Sequence, residues 1–331
     1  MTDSTAAAIQ PRGERILITG GAGFIGSTLA ARIVEDNDLV ILDTFSRNSL
    51  RYHPGLEDHP NLTIHKGSVL DPDAVKAAME GATQVVHCAA IAGIDSVGTH
   101  PTRTMEINVI GTWRVLEAAV AAGGIGRFVD FSTSEVFGQR AWRVSEEDNT
   151  VVAPVGESRW TYAVSKLATE HMAHAYHQEY GLPTVCLRPF NCYGPRQVGE
   201  GAIHYFIKQA VAGEPVTVHN DGSQIRAWCY VDDLVDALCR SLVLDAAAGE
   251  SFNIGNPGAT TTIRGLAEEV VRLTGGRSEI RFVERAGPDV ELRVPNVDKA
   301  SEILDFRAPT DLTEGLQKTI DWFAAQQESG A

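Results

Sequence analysis

The sequence predicts an α/β fold, a doubly wound parallel sheet followed by a smaller mixed α/β C-terminal part that binds substrate. Three observations predict it. Short apolar runs alternate with helical runs from Arg15 to Leu187, as expected of strands buried between two helix layers. Glycines at 20, 23 and 26 stand between the first apolar run and the first helical run. After Arg188 the regularity breaks into shorter, mixed segments. At 331 residues, 44% hydrophobic and 21% charged, the chain is long enough for a large α/β domain and an annex.

Residues 15–19 form the first strand, Gly20-Gly21-Ala22-Gly23-Phe24-Ile25-Gly26 follows, and a helix covers 27–35. The glycines allow a tight turn, close approach of a pyrophosphate and close packing of helix on strand. The helix N-terminus offers N–H groups and a positive dipole end to phosphates. The second strand, 39–42, ends in Asp43. An acid there accepts from both ribose hydroxyls and repels a 2′-phosphate, which argues for NAD over NADP. A plain βα turn with a capping Asp is the alternative.

Residues 61–66 read as a strand and 71–80 as a helix opened by Asp71-Pro72. Residues 84–90 read as a buried strand running into small residues, and Ala89, Ala90 and Ala92 let the backbone lie against a cofactor. His87 reads as a satisfied core or loop histidine. Residues 101–122 read as one long helix, with Asn108 a polar residue in its apolar stripe. Asn108 either bonds a neighbouring strand or faces solvent. The strand 127–131 empties into Ser132-Thr133-Ser134-Glu135-Val136-Phe137-Gly138. Ligands of open parallel sheets sit beyond the carboxyl ends of strands, so these hydroxyls and this carboxylate are placed for chemistry. A turn that merely caps the strand is the alternative.

Residues 139–158 read as a polar loop, part of a lid. The next helix carries Tyr162 and Lys166 to about residue 180, and 183–187 is a strand. Beyond it, helices are expected at 201–213, 230–245, 262–274 and 311–326, with strands near 216–218, 251–254 and 280–283. The expected organisation is a disordered tail (1–12), a cofactor domain (13–188), a mainly substrate-binding part with some chain returning to the first domain (189–325), and a frayed tail (326–331).

The formal net charge is -15. That opposes nucleic-acid or anionic-membrane binding, and a polyanionic substrate needs a locally basic pocket. The five cysteines (Cys88, Cys186, Cys192, Cys229, Cys239) show no metal-ligand spacing. An odd count in apolar contexts suggests reduced thiols in a cytoplasmic protein. No basic leader precedes an apolar run, and none is long enough to span a membrane.

Tyr162 and Lys166 stand four residues apart, hence on one face of a helix. A free phenol ionises near pH 10, and a neighbouring ammonium favours the phenolate, as does a bound nicotinamide cation. A shift of three units corresponds to about 4 kcal/mol. Such a tyrosine can take a proton from a sugar hydroxyl while hydride leaves the same carbon. A surface Tyr and Lys one turn apart is the bland alternative.

These pieces together resemble the extended short-chain dehydrogenase/reductase family, in its nucleotide-sugar epimerase/dehydratase/decarboxylase branch. The resemblance rests on GGAGFIG at 20–26, Asp43, HCAA at 87–90, Asn108, STSEVFG at 132–138, YAVSK at 162–166, RPFNCYGPR at 188–196, RAWCYVDD at 226–233 and FNIG at 252–255. It implies a Rossmann-type domain binding NAD and a C-terminal part binding a nucleoside-diphosphate sugar, a UDP-sugar being favoured. It implies cofactor contacts from Gly20, Gly23, Phe24, Ile25, Gly26, Asp43, Ala89, Ala90, Asn108, Ser132, Tyr162 and Lys166. Tyr162 is then the base, Lys166 its electrostatic partner, and Thr133 a hydroxyl contact to the sugar. Asn191, Arg226 and Arg196 are the implied diphosphate-sugar contacts. Arg188 is expected to bond the loop around Asn191, and Asp233 to cap the helix at 230–245. Family dimers pair two helices per subunit into a four-helix bundle, here about 101–121 and 160–179. Ser68 departs from the family's usual acid at the adenine, and Phe137 replaces a frequent tyrosine by packing.

The branches share C4 oxidation and diverge beside Thr133. The dTDP-glucose 4,6-dehydratases usually carry Asp-Glu there, and 4-epimerases small residues; this chain has Ser134-Glu135. Thr-Ser-Glu is typical of UDP-glucuronate decarboxylases, though GDP-mannose 4,6-dehydratases resemble it too. A 4-keto C6 acid is a β-keto acid and loses CO2 without a C6 acid catalyst. Glu135 then positions the sugar or handles the C5 proton. The loop 146–160 and Asp289-Val290-Glu291-Leu292-Arg293-Val294-Pro295 are similar to decarboxylase segments, the second bearing an active-site arginine. Arg293 would pair with the sugar carboxylate or protonate C5, although an unperturbed guanidinium is a poor proton donor. A surface or dimer-interface arginine is the alternative. The leading expectation is an NAD-dependent UDP-glucuronate decarboxylase giving UDP-xylose or the 4-keto pentose. A nucleotide-hexose 4,6-dehydratase, a 4-epimerase and an inactive NAD-binding protein on the same fold are the alternatives.

Overall fold

Parallel pairing of the apolar runs organises the chain. A computed structural model describes residues 9–152 and 154–329. The chain runs β1 (Arg15–Thr19), α1 (Phe24–Ile33), β2 (Asp38–Asp43), β3 (Leu62–Lys66), α2 (Pro72–Met79), β4 (Gln84–His87), α3 (Ile94–Thr99), α4 (Pro101–Met105), α5 (Thr112–Ala122) and β5 (Arg127–Phe131). It continues with β6 (Arg140–Val144), α6 (Thr161–Tyr180), β7 (Thr184–Pro189), β8 (Cys192–Tyr193), α7 (Ala202–Val211), β9 (Val216–His219), β10 (Ile225–Ala227), β11 (Cys229–Tyr230) and α8 (Val231–Val243). The last elements are β12 (Ser251–Ile254), β13 (Thr260–Thr262), α9 (Ile263–Leu273), β14 (Ile280–Val283), β15 (Leu292–Pro295), α10 (Asp298–Leu304) and α11 (Leu312–Ser329).

Seven strands form one parallel sheet in the order β12-β7-β5-β4-β1-β2-β3. Both faces are buried. On one, Leu29 and Ile33 of α1 and Leu234 and Leu238 of α8 meet Ile16, Ile18 and Ile41. On the other, Val75 of α2 and Val115 and Leu116 of α5 meet Leu17, Val40, Val85 and Phe128. Two-sided burial is why these strands read as continuous apolar runs. Strand β12, from the second half of the chain, lies at one edge of this sheet, and helix α8 packs on one of its faces. A second core joins α7, α9 and α11 through Phe206, Leu266 and Leu316. No helix among the described residues is long and apolar enough to cross a membrane.

Several expectations need correction. Residues 139–158 are not all loop, since β6 pairs in parallel with β15 in a four-stranded sheet ordered β13-β10-β15-β6. Its partner lies far down the chain, so no local pattern marks it. Helix 101–122 is interrupted by a π-helical turn at Glu106–Gly111. Residues 326–329 continue α11. Gln10 and Arg12 contact Asp36, and Asn37 donates to the carbonyl of Pro11; residues 1–8 and 330–331 lie outside the described residues. The Asp71-Pro72 start is as expected, with Asp71 accepting from the N–H groups of Asp73 and Ala74.

Helix α6 is locked to the sheet by buried charge. Arg188 on β7 pairs with Glu170 (Nη2–Oε1 2.7 Å), which also accepts from Ser132 and Ser251. Arg188 therefore anchors α6 and does not bond the loop around Asn191. Burial pushes the Glu170 carboxyl up, but Arg188 and the two hydroxyls more than reverse this and hold it below the carboxylate range. Its stabilisation is present above the unfolded value, about 4.3, and is lost as pH falls through the lowered folded value. Glu170→Ala, which strands a buried guanidinium, is expected to cost about 3–5 kcal/mol in urea unfolding. Glu170→Gln should also show a flatter loss of stability on acidification than the parent.

Candidate active site

The carboxyl edge of the seven-stranded sheet opens into a cleft of about 430 Å³. Gly20, Gly23, Phe24 and Ile25 line it from the first turn, Asp43 and Ser68 from the next strand ends, and Ala89 and Ala90 from the end of β4. Ser132, Thr133, Tyr162, Lys166 and Asn191 line it as well. Gly20 has φ +69, and a Cβ there would lie 2.6 Å from the Ala89 nitrogen, so no other residue lets the turn touch the end of β4. A Cβ on Gly26 would meet Gly21 Cα at 2.7 Å; this glycine serves helix-on-strand packing. Asp43 accepts from the Ala22 N–H (2.9 Å) and the Phe45 N–H (2.7 Å), with its carboxyl raised by burial against those backbone bonds. A cradle without side chains at a helix N-terminus, with an acid one strand away, fits a dinucleotide with free ribose hydroxyls.

Asn108 does not contact the cleft. It is fully buried in the π-turn, accepts from the Ile91 N–H at 2.8 Å and donates to Ile91 O and Ser165 Oγ. It ties the Ala89–Ala92 loop to α6. A π-turn redirects such a side chain, and these turns recur at functional sites. His87 is a satisfied core histidine, between Thr19 (2.6 Å) and Thr112 (2.8 Å), with its pKa pushed down to about 3 by burial and Lys166. Asp233 does not cap its own helix; it accepts from the Thr310 N–H and hydroxyl. Phe137 packs on Phe190 beneath the Arg188 guanidinium.

At the inner end, Tyr162 sits with Thr133, whose hydroxyl favours the phenolate. Its phenol is nonetheless pushed above the ordinary tyrosine value, by burial first and then by the charge of Glu135, with Asp130 adding to it. The Lys166 ammonium lies 3.4 Å from the buried Asp130 carboxylate, whose charge opposes the lowering of Tyr162 expected from the lysine. A cofactor cation would pull the phenol down.

Around Glu135 lies a buried arginine cluster. Arg159 grips Glu135 through two bonds, 2.8 and 3.1 Å. Arg293 Nη1 stands 4.0 Å from Glu135, and its other arm donates to Gly138 O. Arg226 pairs in register with Arg293 across β10 and β15, donates to Val290 O and lies 3.7 Å from Asp289. Burial raises the Glu135 carboxyl, but Arg159, Arg293 and Arg226 together bring it below its ordinary range. Burial lowers the Arg293 guanidinium to about 10, with Glu135 opposing and its two arginine neighbours adding. Ser134 is buried behind the same turn. Arg196 does not line the cleft and its charge acts on His53 and Tyr230, while Asn191 reaches the cleft and donates to Ala227 O at 2.8 Å. Sequence reasoning missed Arg159 and Asp130 as site residues. The available signals were the need of a buried Glu135 for a cation, and an acid inside the apolar run of β5.

The fold and site define a nucleotide-dependent enzyme acting at the carboxyl edge of a parallel sheet. The chain belongs to the NAD dependent epimerase/dehydratase family, which matches residues 16–255. It is 34% identical over 94% of its length to a UDP-N-acetyl-alpha-D-glucosaminuronate decarboxylase of Bacillus cytotoxicus, covering 98% of that protein. It is 36% identical over 91% of its length to UDP-glucuronic acid decarboxylase 5 of Arabidopsis thaliana, covering 87% of it. A solved UDP-glucuronic acid 4-epimerase from Bacillus cereus, in complex with UDP-glucuronic acid and NAD, superposes with a TM-score of 0.87 at 28% identity, covering 94% of this chain and 99% of that one. NAD is the cofactor of the family.

Asp43→Asn keeps the shape of the βα junction but removes the charge. We expect NAD affinity to fall about tenfold and the preference over NADP to shrink, measured by calorimetry with both dinucleotides.

Proposed function

We propose that the chain is an NAD-dependent UDP-glucuronate decarboxylase. One observation carries this reading: Arg159, Arg226 and Arg293 gather around Glu135, whose charge reaches Tyr162, and among the described residues they are opposed there by two carboxylates, Glu135 and Asp289. That leaves one positive charge uncompensated in an acidic protein, beside the group that faces the sugar. A C6 carboxylate is the complement, and a guanidinium is its best partner. The names of the decarboxylase relatives support the same chemistry.

Residues 13–188 hold the cofactor in this reading, and 189–325 mainly the nucleotide sugar, with Asn191 at the diphosphate; Arg226, expected there from the sequence, stands instead beside Arg293 and serves the C6 carboxylate. Thr133 and Tyr162 hold the sugar C4 hydroxyl, and Tyr162 takes its proton. NAD, which Gly20, Gly23, Asp43 and Ala89 would hold, would supply the hydride acceptor for C4. The C4 ketone then lets the C5–C6 bond break, CO2 leaves, and the bonding pair stays at C5 as an enolate. Glu135, kept ionised by Arg159, positions the arginines and the sugar and is a poor proton donor. Arg293, lowered to about 10, is a feasible donor to C5. Ser134 stands where a dehydratase needs an acid to expel hydroxide from C6, which disfavours that reading.

A homodimer is part of the proposal. Met105, Ile110, Trp113 and Val164 are large apolar residues 37–42% exposed on the neighbouring helical stretches 101–122 and 161–180, a pair of faces suited to a four-helix bundle. The five free thiols among the described residues support a reducing, cytoplasmic setting.

Incubation with UDP-glucuronate and NAD, followed by mass spectrometry, should show loss of CO2. A product of unchanged mass would mean epimerisation, and loss of water from a neutral UDP- or dTDP-hexose would mean dehydration. Tyr162→Phe should lower turnover by at least about 100-fold while NAD still binds. Trp113→Glu should shift the protein from dimer to monomer in sedimentation velocity.

A further inference from the structure

Asp130 is a charged residue that neither the fold nor the reaction described above requires. It lies in the middle of β5, between Val129 and Phe131, and is fully buried. Its two oxygens face Lys166 Nζ at 3.4 Å and Thr169 Oγ1 at 3.2 Å, both on α6. A buried ion pair adds little stability over well-packed apolar residues, and Phe128, Val129 and Phe131 of β5 are apolar, while its other charged residue, Arg127 at the start of the strand, reaches Leu244 O and the exposed Asp245. A carboxylate under the lysine of the site therefore points to a role in the chemistry.

The other ionisable groups around the pair are occupied or neutral. His87 at the end of β4 is held neutral between two threonines, its pKa about 3. The thiols of Cys88, after β4, and Cys186, on β7, are pushed up by burial and stay protonated. Glu170 on α6 and Arg188 on β7 neutralise each other. Glu135, on the turn after β5, belongs to Arg159. Asp43, at the end of β2, is engaged by the backbone N–H groups of Ala22 and Phe45. Asp130 and Lys166 are left to balance each other.

We propose that Asp130 is a positioning residue of the reaction: its carboxylate neutralises and fixes Lys166, and so sets the pH range in which Tyr162 acts as base. This rests on the reading of Tyr162 as the base. Without Asp130 the ammonium acts on Tyr162 at full strength and the phenolate forms at lower pH. With it, the protein alone leaves Tyr162 protonated, and deprotonation is tied to arrival of the cofactor's positive charge. The acid also accepts from the Thr169 hydroxyl, which reaches the Lys166 backbone carbonyl as well.

The test is Asp130→Asn, which keeps the shape and removes the charge. In NAD-free protein, the Tyr162 phenolate is followed by ultraviolet difference titration against a Tyr162→Phe background. Its midpoint should fall by roughly one pH unit. At saturating NAD, the acid limb of kcat/KM should move down by a similar amount, giving about tenfold faster turnover below the parent's limb. Turnover is read as reduction of bound NAD on mixing with UDP-glucuronate, which does not depend on the later loss of CO2. Asp130→Glu should restore most of the parent profile. If Asp130→Asn does not fold, Asp130→Ser, which removes the charge and leaves room for water, is read in the same way. A midpoint and an acid limb that stay in place, or move up, in a folded variant with unchanged NAD affinity overturn the proposal. Undiminished turnover in Tyr162→Phe would instead overturn the reading of Tyr162 as base.

Discussion

Burying ionised carboxylates at the edge of a sheet is the constraint on which this structure depends. An unopposed buried charge costs several kcal/mol, and Asp130, Glu135 and Glu170 are buried along the first half of α6. Each is met by one cation: Lys166 for Asp130, Arg159 for Glu135, Arg188 for Glu170. Two of those cations and one of the carboxylates lie on or just before α6, so the helix cannot shift without separating charges. Tyr162, the proposed base, is held in that frame. The frame also decides its chemistry in the absence of cofactor, because Glu135 and Asp130 both disfavour the phenolate.

Local pattern made the cofactor side legible. The glycine turn, Asp43 and the small residues after β4 are each read within a few residues of one strand end, and the structure places all of them on one cleft. Tyr162 and Lys166 are one helical turn apart, so their shared face follows from helix geometry alone. Asn108 could be seen as anomalous but not assigned, because its partners, Ile91 and Ser165, come from a loop and a helix that only the π-turn brings within reach. The charge cluster was less legible still. Arg159 meets Glu135, Arg226 meets Arg293, and β6 meets β15 across separations for which spacing carries no information.

The same division explains how one scaffold supports several outcomes after C4 oxidation. The proposed oxidation device sits at the end of β5 and on α6, beside the large sheet, where packing on both faces resists change. The groups proposed to act on C5 and C6 come from the turn after β5 and from a separate small sheet. There, Arg226 and Arg293 occupy paired positions on neighbouring strands, so both side chains emerge on one face. Replacing either leaves the large sheet and its cofactor cradle untouched. Discrimination among sugars is thus a property of a small sheet of short strands, and the shared first step is a property of the core. Arg293 shows how the two parts communicate. It is lowered by burial and by two neighbouring guanidiniums, and held charged by Glu135. Glu135 in turn is fixed by Arg159, three residues before the tyrosine. A change at the branch-determining end is therefore felt electrostatically at Tyr162, which ties the choice of substrate to the ease of the step that every branch shares.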